Sequence, residues 1–178
     1  MGQTAPALAA GAGGTHPIPL HHKYRYFLTY QMKLDQKADA LEQQGYPDKA
    51  AAIRNHLQKD LSFTDGQIAI LRAAGLQLKS DLDSIQAQAN PIISQDRQWR
   101  KQYGRSAGPP PGAEQIHELQ AQEETVMKDA VTHLNQQLGA APAARLQSYV
   151  ATHVVGHAAQ FPAHRPKIGT PFHMEGQQ

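Results

Sequence analysis

The stretch LSFTDGQIAILRAAGLQLKSDL, residues 61–82, decides how the rest of the chain is read. Thr64 is placed to cap a helix and Asp65 falls in its first turn, where a carboxylate suits the positive end of the helix dipole. Ile68, Leu71, Leu78 and Leu82 then recur at helical spacing, and the stripe continues through Ile85, Ala89 and Ile92. One helix from about residue 65 to about residue 104 follows, roughly 60 Å long at 1.5 Å per residue. Pro91 lies inside it, removing one hydrogen bond and crowding the preceding turn, so a kink is expected rather than a stop. Arg97, Arg100, Lys101 and Arg105 gather at its far end, where the dipole favours cations.

Working outward, GRSAGPPPGAE (residues 104–114) is a break that joins this helix to an antiparallel neighbour. The neighbour spans about 113–138, with Ile116, Leu119, Val126, Ala130 and Leu134 in stripe and Glu114 and Glu118 near its start. Gly139 ends it, and Pro142 is read as opening a further helix with Leu146, Tyr149, Val150 and Val154 on one face, fading by Pro162. Upstream, Phe27, Tyr30, Leu34, Ala38 and Leu41 mark an amphipathic helix that Gly45 ends. Pro47 starts a short one to about residue 60, carrying Ala50, Ile53 and Leu57. No stretch alternates with period two. The expected fold is all-α: an elongated bundle of about five helices over residues 20–160, with one long kinked helix. Flexible ends are expected on both sides, an Ala/Gly/Pro-rich arm over 1–19 and an irregular tail over 161–178.

Composition narrows the function classes. The chain has 178 residues, 40% hydrophobic and only 18% charged, with 22 glutamines supplying uncharged polarity on helix surfaces. Four Phe and one Trp leave a core made mostly of aliphatic side chains and Ala, thin enough to leave a groove or to pair with another chain. A net charge of +2 does not call for nucleic acid as partner. The absence of cysteine removes disulfides, thiolate catalysis and Fe–S clusters. No apolar run is long enough to span a bilayer. The opening MGQTAPALAAGAGGTHPIP lacks a basic n-region and an apolar core, and its small residues resemble the mature start of a periplasmic or secreted protein.

Three clusters are candidates for chemistry. HVVGH places His153 and His157 four apart on one helix face, the spacing at which two imidazoles share a metal, with His164 or the His21–His22 pair as further nitrogen donors. Imidazoles of this kind suit Cu²⁺ or Ni²⁺, although as exposed residues near a helix end they need serve no ion at all; no resident cofactor is expected. Arg97, Trp99, Arg100 and Tyr103 form a basic–aromatic group that can contact a polypeptide partner. HHKYRYFLTY (21–30) carries a third, aromatic group, of which Phe27 and Tyr30 are expected to face the core. Catalysis has no motif behind it: there is no G-x-S-x-G elbow and no phosphate loop, and Asp81 and Asp83 face different sides of their helix. A non-enzyme is expected.

FTDGQ (63–67) resembles the L-T-x-x-Q motif of the Spy/CpxP family of small helical periplasmic proteins, Thr64 and Gln67 matching its Thr and Gln and Phe63 replacing Leu. In that family a second copy follows a second long helix. Here LGAAPAARLQSYV (138–150) occupies that place, keeping Leu138 and Arg145-Leu146 but putting Gly139 and Pro142 where Thr and Gln would stand. The order of long helix, Pro-rich turn, long helix and short closing helix is similar over about residues 60–160. The resemblance implies an ATP-independent chaperone or envelope-stress protein, working as a cradle-shaped homodimer on unfolded clients. Its rivals are a histidine-based metal- or cofactor-binding bundle and a structural protein that assembles through its N-terminal arm.

Overall fold

A computed structural model describes residues 18–154, and all regular structure within them is helical. Six α-helices follow one another: α1 (Leu20–Gln43), α2 (Pro47–Arg54), α3 (His56–Leu61), α4 (Asp65–Tyr103), α5 (Ala113–Leu138) and α6 (Ala140–His153). A single 3₁₀ turn, Arg105–Ala107, interrupts the loop between α4 and α5.

The start of α4 is built as the sequence suggests, with one addition. Thr64 Oγ1 accepts from Gln67 N at 3.3 Å, while Gln67 Oε1 accepts from Thr64 N at 3.0 Å, a reciprocal capping box. Phe63 before the cap and Ile68 after it are both buried in the same core cluster, the two halves of a hydrophobic staple. The Thr and Gln of the motif therefore each have a local structural job. Across the loop, Arg145 Nε of α6 donates to Leu61 O at 3.0 Å, satisfying a carbonyl at the end of α3.

Pro91 sits within α4 without ending it. The helix extends about 58 Å for its 39 residues. Its first half packs on α1 and α5 over the main core, where Tyr24, Phe27, Leu71, Leu78, Met127, Leu134, Leu146 and Val150 meet. Its second half packs on α5 over a smaller cluster of Ile85, Ala89 and Leu119. The close approach of α4 and α5 near the turn depends on Gly112. Its N–H donates to Asp96 Oδ1 at 3.1 Å, and a Cβ there would lie 2.2 Å from Ile92 Cγ2.

Three expectations are corrected. The helix over 47–60 is interrupted at Asn55, which caps α2 and opens α3, where His56 Nδ1 engages Ile53 O at 2.5 Å. The last helix begins at Ala140, not Pro142, which falls within its first turn, where a missing N–H costs nothing. The buried face of α1 is also rotated: Tyr24, Phe27, Leu28, Gln31 and Ala38 point inward, and Tyr30, expected in the core, is 48% exposed. Gly45 does end α1, in a Schellman motif: Tyr46 N reaches Leu41 O, Gly45 N reaches Glu42 O, and Gly45 takes φ +83°.

Candidate functional site

Among the described residues, two places bring polar chemistry or apolar surface together. The first is a cleft of about 210 Å³ among α1, α2, α3 and α4. Leu28, Leu57, Ile68, Leu71 and Gly75 make an apolar floor. The rim is charged, but its charges are already matched. Arg72 holds Asp35 through two bonds of 2.9 Å, from Nε and Nη2, and Arg54 holds Asp39 at 2.6 Å and Glu42 at 2.7 Å. Leu76, also on the lining, is 62% exposed. The volume lies below the range of about 300–1,000 Å³ that encloses a drug-sized ligand, so the cleft suits one or two side chains of a larger partner.

The second place joins α1 to α5. His21 Nε2 lies 2.6 Å from Glu124 Oε2, and His22 Nε2 lies 2.8 Å from Glu124 Oε1. The two rings are 4.6 Å apart and tilted by 39°. Neighbouring residues on a helix diverge, but a carboxylate has two oxygens and gives each ring its own. Beside them Arg25 pairs with Glu123, and Lys23 turns the other way to bond Ala151 O at 3.0 Å. Burial pushes the His22 imidazolium below its ordinary range, more than the adjacent carboxylate restores. Burial would raise the Glu124 carboxyl, but the hydrogen bonds and charge of the two histidines outweigh it and hold it below its ordinary value. Two imidazoles and a carboxylate are the donor set of a borderline divalent metal.

The residues singled out from sequence are scattered. Trp99 and Tyr103 stack in a tilted pair 5.4 Å apart at the far end of α4, with Arg97 and Arg100 exposed around them. Measured along the helix, Trp99 is roughly 36 Å from Gly75 in the cleft floor. His153 is exposed at the end of α6. Its ring stacks on Tyr149 at 4.0 Å, and its Nδ1 is engaged with Tyr149 O at 3.0 Å and Thr152 Oγ1 at 2.9 Å. His157 and His164 lie outside the described residues, so the HVVGH pairing has no geometry here. Asp81 bonds Gln77 and Asp83 pairs with Lys79, each on its own side of α4. Glu124 was not singled out by sequence. It stands 103 residues from His21, and only the packing of α1 on α5 brings them together.

No family model, curated protein or solved structure matches the chain. No helix among the described residues is long and apolar enough to cross a membrane.

Proposed function

We propose that this chain is a helical binding protein that holds unfolded or partly folded polypeptides without ATP, outside the cytoplasm and as a homo-oligomer, as the Spy/CpxP resemblance implies. The observation that supports it is the cleft among α1, α2, α3 and α4, with its apolar floor, its self-paired rim and the exposed Leu76. Rim charges that satisfy one another demand no particular counter-charge from a ligand. Apolar burial at about 25 cal/mol per Å² is then the main attraction, and it is indifferent to sequence. A cleft that admits one or two side chains binds each weakly, which suits capture and release better than storage. The Trp99–Tyr103 pair, with Arg97 and Arg100, supplies a second contact; a client segment reaching from one to the other needs roughly 11 extended residues.

The test is suppression of light scattering by an unfolding client in the absence of nucleotide, at near-stoichiometric ratio. The parent protein should protect. Leu76→Glu, which places a charge on an already exposed position, should lose most of that protection while keeping its helical content. No protection by the parent across several clients refutes the reading. Full protection by Leu76→Glu removes the cleft from it.

A further inference from the structure

We propose that His21, His22 and Glu124 form a binding site for one divalent transition-metal ion of the zinc–copper class, pinning the first turn of α1 to the middle of α5. The three donor atoms, one ring nitrogen from each imidazole and one carboxylate oxygen, all lie within 4.8 Å of one another. Tetrahedral coordination with bonds of about 2.0–2.1 Å sets such atoms roughly 3.3 Å apart, a contraction that side-chain rotation supplies. The side chains are 15%, 13% and 37% exposed, so the imidazoles are shielded while the carboxylate side stays open to water and to an arriving ion. Two nitrogens and one oxygen, with no thiolate anywhere in the chain, select borderline ions over soft ones such as Cu⁺.

The surroundings agree with a cation here. Arg25, one turn along α1, is paired with Glu123. Lys23 is drawn away to the end of α6. Three protein donors leave at least one coordination position for water or an external ligand. The site is separate from the cleft and does not depend on the binding function proposed above. It also differs from the His153 group, whose Nδ1 is already engaged within its own helix.

The experiment uses the full chain stripped with a chelator and titrated with Zn²⁺ alone by calorimetry. One ion per chain is expected at the tight site, with affinity falling at least tenfold in each of His21→Gln, His22→Gln and Glu124→Gln. An ion bound only by the folded state also raises the unfolding midpoint, so Zn²⁺ should raise it in the parent and not in Glu124→Gln, the variant closest in shape. For a readout that needs no variant, one equivalent of Zn²⁺ should shift the ring resonances of His21 and His22 in the parent. Unchanged affinity in all three variants, no tight site in the parent, or first shifts at His153 or other histidines would each overturn the proposal.

Discussion

Thr64→Ala tests whether the start of α4 is helix chemistry or something more. The substitution removes the oxygen that accepts from Gln67 N at 3.3 Å but leaves Gln67 Oε1 free to accept from Thr64 N. Thr64 is exposed and Gln67 is half-buried but reached by solvent, so water takes over the released N–H and no fully buried group is orphaned. The loss is therefore that of an exposed cap, about 1 kcal/mol, or about 3 °C in Tm for a chain of this length. Thr64→Ser keeps the hydroxyl and should behave as the parent. Phe63→Ala is the contrast: this side chain is 4% exposed in the main core, and its removal should cost about 3 kcal/mol or more. Urea unfolding followed by circular dichroism reads all three. A Thr64→Ala midpoint equal to that of the parent would show that Thr64 does not cap α4. If the same variant kept its stability but lost client protection, the T-x-x-Q pair would be part of the binding surface and the capping argument would fail.

Further expectations rest on single contacts. Gly112→Ala should destabilise by about 2 kcal/mol in urea, since its Cβ would lie 2.2 Å from Ile92 Cγ2, while Gly75→Ala, whose Cβ meets only Met32 and Leu28 at 3.5 Å or more, should stabilise by about 0.5–1 kcal/mol. Equal effects at the two glycines would refute the close approach of the turn to α4. Arg145→Met leaves Leu61 O without its donor and should lower stability by about 1 kcal/mol, with an unchanged midpoint counting against that bond. Tyr24 is fully buried, its hydroxyl has no partner among the described residues, and burial raises it to about 12. A raised folded value means that stability is intact below the unfolded value of 10 and is lost as pH climbs from there through 12. Tyr24→Phe should be at least as stable as the parent at pH 7 and should lose less between pH 10 and 12; an identical alkaline loss would refute the assignment.

The fold was legible where one signal dominated. The long helix announced itself because cap, stripe and terminal cations agree from Thr64 to Lys101, and α5 was bounded correctly by Pro-rich loop and glycine. The inward face of α1 was misplaced because Tyr24, Phe27, Leu28 and Tyr30 offer two overlapping stripes, and which one is buried depends on where α6 lies. Tyr149 settles it, its ring meeting Phe27 edge-on at 6.0 Å. The break at Asn55 was hidden for another reason. It depends on a histidine side chain bonding a backbone carbonyl three residues back, which no periodicity records.

The candidate metal site was half legible, and the missing half is instructive. A pattern search for two histidines on one helix favours spacings of three or four, which led to His153 and His157, because side chains at those spacings point the same way. His21 and His22 fail that test, since adjacent side chains diverge. They converge here only because Glu124 reaches between them from another helix and its two oxygens accept divergent partners. Glu124 in turn is one of two consecutive glutamates in a solvated stretch of α5. Its neighbour Glu123 takes Arg25, and each carboxylate thereby matches a different part of the first turns of α1. The pairing is a property of the α1–α5 interface. The first two turns of α1 hold the donors in place, so a change that frees those turns should abolish metal binding even with all three donors present. Arg25→Gln, which unties α1 from Glu123, is therefore expected to weaken Zn²⁺ binding to the full chain. If fixing the helix were irrelevant, removal of this nearby positive charge would strengthen binding instead, and that opposite sign would refute the argument.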